Sequence, residues 1–168
     1  MLRKIIVILI VIVGFLLQSS VFSAISMGGI VPNILIIITS SFGFMRGKNE
    51  GMVIGFLCGL IMDVFYGDIL GFYALVYLVI GYLNGFFRSI FYPEDIKLPM
   101  ILITASELAY CFLCFIFLFM LRGKFHLGYY FLHIFLPEIA YTILVTLLIY
   151  KGILFVNERL ENREKRRA

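Results

Sequence analysis

Six apolar stretches follow one another between Ile5 and Val156, with only short polar breaks between them. That succession constrains the fold more than any motif in the chain. A soluble domain is about half apolar and about a quarter charged. This chain is 62% hydrophobic and 14% charged, with a mean hydropathy of +1.07, and one aqueous core cannot bury such an excess. The expected fold class is all-α, a polytopic membrane protein built as a six-helix transmembrane bundle. At roughly 20 residues per crossing, the chain holds about six spans and leaves no room for a separate soluble domain.

The spans are expected at about residues 5–25, 31–45, 51–66, 69–87, 98–121 and 137–156. Residues 1–156 then form a single integral-membrane domain and 157–168 a charged cytoplasmic tail. The chain begins MLRK before its first apolar run, as a signal peptide would, but the run exceeds a signal core of roughly 7 to 15 residues. It is read as a retained helix. The second span opens at Pro32, where a missing N–H costs a helix least. The second and third spans are short, and suit a thinned or shielded part of the membrane. The stretch from Phe125 to Val156 would be about 48 Å long if wholly helical, more than a hydrocarbon core requires. Pro137 divides it into a last span and an interfacial segment, 125–136, whose His126, Tyr129, Tyr130 and His133 suit the headgroup region. A single tilted helix is the alternative.

The net charge of +4 is unevenly placed. Six crossings with the N-terminus inside put Arg3, Lys4, Arg46, Lys48, Arg88, Lys97, Lys151 and the tail in the cytoplasm, leaving only Arg122 and Lys124 outside. Both termini of this multi-pass protein are therefore expected on the cytoplasmic side of the membrane. The pattern fits contact with membrane lipids and not a nucleic-acid face. The tail, NERLENREKRRA, reads as a solvated helix end near anionic headgroups, or as a docking tail for a cytoplasmic partner.

Within the third span, Gly51, Gly55, Gly59 and Asp63 recur every fourth residue. Residues four apart share one helix ridge. Helices in lipid associate by close backbone approach, which such small residues permit. Asp63, on the extension of that ridge, is expected to point into protein, because an ionised carboxylate in lipid costs several kcal/mol. Its role is either structural, capping the turn before the fourth span or hydrogen-bonding a neighbouring helix, or that of a docking or ion-binding group. Glu107, near the middle of the fifth span, shares a face with Thr104, Cys111 and Cys114. It is a proton carrier, a partner for a buried base, or a protonated acid hydrogen-bonded to a tyrosine or a backbone carbonyl. Glu138 is a first-turn acid if the last helix starts at Pro137, and is buried beside Tyr141 and Thr142 if it starts earlier.

Catalytic machinery is not expected. The chain has no P-loop, no HExxH pair and no G-x-S-x-G elbow. The Cys111–Cys114 C-F-L-C lacks a second ligand pair to complete a zinc site, so its thiols, like Cys58, are read as packing residues. No metal or other cofactor is expected.

A set of residues together carries a resemblance. A first span ends in Gln18-Ser19-Ser20, and Pro32-Asn33 opens the second. Then come Gly51, Gly55, Phe56, Gly59, Leu60 and Asp63 in the pattern G-x-x-x-G-F-x-x-G-L-x-x-D, followed by Gly67, Leu70-Gly71, Ala74-Leu75, Tyr77 and Gly81-Tyr82. Over roughly residues 15 to 85 this resembles MreD, the small rod-shape-determining membrane protein of bacteria. The second half is similar in hydropathy alone. The resemblance implies a non-enzymatic scaffold of the peptidoglycan elongation complex. It implies binding to the bitopic MreC and, through it, action with the MreB filament, the RodA glycosyltransferase and a class B transpeptidase. It also implies a fold like the six-helix substrate-binding subunits of energy-coupling-factor transporters. On this reading Gly51, Gly55, Gly59 and Asp63, with Pro32 and Asn33, organise the helices for docking a partner's transmembrane helix. Two alternatives remain. One is a transporter subunit with an outward pocket lined by Asp63, Glu138, Tyr129 and His133, although Ser20-x-x-x-Ala24 replaces the A-x-x-x-A characteristic of such subunits. The other is a proton path through Glu107, which lacks a chain of ionisable groups across the bilayer.

Overall fold

The computed structural model describes residues 2–24, 26, 30–67, 69–119 and 131–165, and among them there is no β-strand. Helix α1 (Leu2–Leu16) runs on into a π-helical turn, Leu17–Phe22. Helices α2 (Ile34–Arg46) and α3 (Lys48–Tyr66) follow, then α4 (Phe72–Asn84), which tightens into a 3-10 turn, Gly85–Ile90. Helix α5 (Lys97–Cys114) continues as a π-helical turn, Phe115–Phe119, and another such turn, Phe131–Phe135, leads into α6 (Leu136–Lys165). Five stretches are long and apolar enough to cross a membrane: Lys4–Phe22, Lys48–Tyr66, Phe72–Ile90, Lys97–Phe117 and Leu132–Glu161. The chain is an all-α, multi-pass membrane bundle.

The helix too short to join those five is the one at the centre. In α2 every residue from Ile34 to Met45 is buried, and α1, α3, α4, α5 and α6 all pack on it. Apolar faces alone could face lipid, but Thr39, Ser40 and Ser41 in the middle of α2 are buried polar groups that favour enclosure by protein. At thirteen residues α2 is shorter than an ordinary crossing, and it is enclosed by the other helices along its length. The surrounding helices turn apolar residues outward, among them Leu9, Val53, Val64, Leu75, Ile101 and Leu148. Such a belt suits lipid contact.

Gly47 alone links α2 to α3. Its φ of 102° lies in the region that favours glycine, and its N–H donates to the Gly43 carbonyl at 2.8 Å. The sharp reversal brings Arg46, Lys48 and Arg88 together at one end of the bundle, around a common cleft. There Arg46 donates to both the side chain and the carbonyl of buried Asn157 on α6, while the Lys48 ammonium sits 3.5 Å from the Phe86 ring centroid.

Two expectations about helix starts change. Pro32 lies just before the second helix rather than within its first turn, because the Asn33 side chain caps α2 by accepting from the Ile36 N–H at 3.2 Å. Pro137 does not interrupt the last helix. The π-helical turn at Phe131–Phe135 runs straight into α6, and wider turns of this kind relieve the hydrogen bond that a proline cannot make. Residues 131–136 are thus helical and continuous with α6. Residues 125–130 of the expected interfacial segment, with His126, Tyr129 and Tyr130, lie outside the described residues, as do Arg122 and Lys124.

Candidate functional site

The glycine ridge is met from within the chain. A Cβ on Gly51 would run into the Gly81 carbonyl, one on Gly55 into the Tyr77 carbonyl, and one on Gly59 into the Tyr73 carbonyl. These acceptors are themselves spaced by four on α4, so two antiparallel ridges meet in register. The backbones approach so closely that no side chain fits between them. The Gly51–Gly59 face is covered by α4, and the outward face of α3 is a separate stripe of Val53, Phe56, Leu60 and Val64.

Asp63 closes this hairpin. Its Oδ2 accepts from the N–H groups of Gly71 at 3.0 Å and Ala74 at 2.9 Å, and its Oδ1 from Tyr73 at 2.8 Å. A helix start leaves its first N–H groups without partners inside the helix. At α4 the Asp63 carboxylate supplies them from the preceding helix, where the helix dipole also favours negative charge. Gly71, with φ 98°, provides the left-handed turn that aims these groups at Asp63. The carboxylate is only 2% exposed. Of the two roles open to Asp63 in the sequence, the geometry is that of the cap.

A second node gathers at the start of α2. The Asn33 Oδ1 accepts from the Tyr77 hydroxyl at 2.8 Å, and the Asn33 N–H donates to Thr142 Oγ1 at 3.0 Å. Gln18 reaches over from α1 to accept from the Leu35 N–H at 3.2 Å. Asn33 thereby ties α2 to α4 and α6, and Gln18 ties α1 to α2. Deeper in the bundle, Asn84 donates to Ser106 Oγ at 2.7 Å and to the Ile80 carbonyl at 2.9 Å. Tyr77 entered the sequence reading only as part of the resemblance, and Asn84 and Ser106 were not singled out. A polar group inside an apolar run is itself the signal that would have found them.

Beside this node lies a polar cavity of about 310 Å³, at the end where α1 and α3 finish and α2 begins. Gln18, Ser19, Asn33, Tyr66, Tyr110 and Glu138 are among its walls. Glu107, 1% exposed, has no hydrogen-bond partner for either carboxyl oxygen among the described residues. The tyrosine or carbonyl partner foreseen for it is absent from those residues. Instead, ligand atoms of Glu107, Cys111 and Glu138 all lie within 4.8 Å of one another, and Cys111 Sγ faces Glu138 Oε2 at 3.9 Å. Of the four residues foreseen around an outward pocket, Glu138 lines the cavity. Asp63 is turned into α4, His133 is exposed on the π-helical turn before α6, and Tyr129 lies outside the described residues.

Compared with models of known families, residues 1–157 match the family described as rod shape-determining protein MreD. The chain belongs to the MreD family. The match takes in the Gly–Asp ridge, the Asn33 node, the Glu107 cluster and α6 as far as Asn157. It therefore extends well past residues 15 to 85, on which the resemblance in the sequence rests. No curated protein and no solved structure matches the chain. In this MreD-family bundle, the polar and glycine residues among those that carried the resemblance hold helices together, whereas Phe56, Leu60, Leu70 and Leu75 face outward. Gln18 and Asn33 secure the start of α2, Gly51, Gly55 and Gly59 seat α3 on α4, and Asp63 with Gly71 starts α4.

Proposed function

We propose that the chain is a non-enzymatic scaffold subunit of the cell-wall elongation complex, which binds a bitopic MreC-like protein and so helps control peptidoglycan synthesis and cell shape. The observation that carries this reading is the match to the rod shape-determining MreD family over residues 1–157. Through the MreC-like protein it acts with an MreB-like filament, a RodA-like glycosyltransferase and a class B transpeptidase. The architecture is in keeping with such a role. Among the described residues, links as short as the single residue Gly47 occur, which suits partners met through helix faces. The Gly51–Asp63 ridge does not itself touch the partner. It sets the position of α3, whose outward stripe of Val53, Phe56, Leu60 and Val64 is offered to a transmembrane helix. The gathering of Arg46, Lys48 and Arg88 at one end supports an orientation with both termini in the cytoplasm.

Controlled depletion of the protein from its own rod-shaped cells tests this directly. Cells should widen and round within a few generations, and incorporation of labelled wall precursor along the side wall should fall. Rods of unaltered width and labelling after full depletion would contradict the proposal. One observation favours the second reading, a small-molecule-binding transporter subunit: the polar cavity bounded by Gln18, Asn33, Tyr110 and Glu138.

A further inference from the structure

Glu107 takes no part in the packing contacts described above, although Asn33 and Glu138 are its polar neighbours. It is 1% exposed, yet both its oxygens lack hydrogen-bond partners among the described residues. A buried carboxyl left in that state is costly unless a further group satisfies it. One helical turn on, Cys111 stands on the same face of α5. Glu138 is brought to both from α6, and the ligand atoms of the three lie within 4.8 Å of one another.

From this geometry we infer that Glu107, Cys111 and Glu138 form a binding site for a single divalent transition-metal ion of the zinc class. Zinc takes thiolate sulfur at about 2.3 Å and carboxylate oxygen at about 2.0–2.2 Å, in tetrahedral sets. Side-chain rotations that draw the three atoms together by about 1 Å bring them to those distances. The donor set decides the kind of metal. A thiolate selects against magnesium and calcium, and two carboxylates select against copper(I). Three protein ligands leave a fourth position. Glu138 lies in the wall of the polar cavity, so that position opens towards water, and the cavity gives the ion its way in. On loading, the protons on the Cys111 thiol and on the buried Glu107 carboxyl leave to water in the cavity, and the dication offsets two of the three anionic ligands, leaving the loaded set at one net negative charge. Cys114, one turn nearer the end of α5 and only partly buried, is not in the set. The site is independent of the docking role of α3 and stands or falls separately from it.

The test uses the full chain in detergent micelles, stripped with a chelator and titrated with Zn²⁺ and then with Co²⁺. The expected result is one ion per chain, with a thiolate-to-cobalt charge-transfer band on Co²⁺ loading. Cys111→Ser should remove that band. Glu107→Gln and Glu138→Gln should each weaken Zn²⁺ binding about 100-fold or more, since loss of even an outer-shell partner costs up to that factor. Cys58→Ser and Cys114→Ser should leave both readouts unchanged. Absence of saturable one-to-one binding would overturn the inference. So would a cobalt complex without a thiolate band, or a band that follows Cys58 or Cys114. Should a Glu107 or Cys111 variant fail to fold, the cobalt spectrum of the unsubstituted chain and of the Cys58→Ser/Cys114→Ser double variant still decides the question.

Discussion

Replacing Gly55 or Gly59 by leucine is expected to separate α3 from α4 and to leave little folded protein. At both positions the first carbon added would meet backbone, the carbonyl of Tyr77 or of Tyr73, and not the tip of a side chain that can swing aside. Overpacking in a close-packed interior costs typically about 1–3 kcal/mol where neighbours can adjust, and a leucine against two helix backbones falls at or beyond the upper end. Helix propensity works in the opposite direction, since leaving glycine gains about 0.8–1 kcal/mol, so a fall in stability isolates the packing term. Gly59→Ala, which adds only the methyl group against Tyr73 and Ala74, should lose part of the same amount. The midpoint of thermal unfolding, followed by size exclusion in detergent, measures the effect. A midpoint equal to that of the unsubstituted protein would show that the ridge is not in close contact. Because the ridge positions α3, recovery of the partner should fail in the leucine variants as well.

Asp63→Ala should be about as damaging by a different route. The substitution removes the acceptor for the Gly71, Tyr73 and Ala74 N–H groups at once. Hydrogen bonds to charged groups contribute roughly 1.5–3 kcal/mol each. The three share one carboxylate and do not add, so a loss of about 3–5 kcal/mol is expected. Asp63→Asn keeps one acceptor oxygen and recovers part of it. Hydrogen exchange supplies the local readout: the Tyr73 and Ala74 amides should lose protection in Asp63→Ala before the amides of α2 do. Exchange unaltered at those two amides would mean that Asp63 does not hold the start of α4.

The two variants also show what a sequence conveys about such a bundle. The fourfold spacing of Gly51, Gly55, Gly59 and Asp63 was legible because helix geometry turns spacing into a shared face. What that face meets was not. On α4 the ridge is made by the carbonyls of Tyr73, Tyr77 and Gly81, and a carbonyl leaves no mark in a residue pattern. The role of Asp63 stayed divided for a similar reason. Its acceptors are taken by backbone N–H groups whose position depends on the left-handed turn at Gly71. Asn33 and Gln18 could be quoted as features, but not joined, since their bonds cross between helices. Glu107 and Cys111 share a face by spacing alone, whereas Glu138, some 30 residues further along the chain, meets them only through packing of α6 on α5. His133 joined Glu138 in the sequence only as a wall of the pocket in the transporter alternative. It stands exposed on the π-helical turn before α6, whereas Glu138 is partly buried on α6.

The shortness of α2 carried more than it first suggested. Thirteen residues are too few for an ordinary crossing, and a shielded position was one of two explanations open. Complete burial from Ile34 to Met45 makes α2 the axis on which the other five described helices are assembled.

The central claim is that the chain acts by holding partners of the wall-elongation machinery together in the membrane. The most direct measurement is a pull-down of the tagged, unsubstituted protein from its own membranes in a gentle detergent, with every co-purifying chain identified by mass spectrometry. The account predicts a coiled-coil MreC-like protein together with wall synthases, and their loss from Gly55→Leu. Recovery of an ATPase module with a bound small molecule would contradict it and make the polar cavity beside Glu138 a transport site.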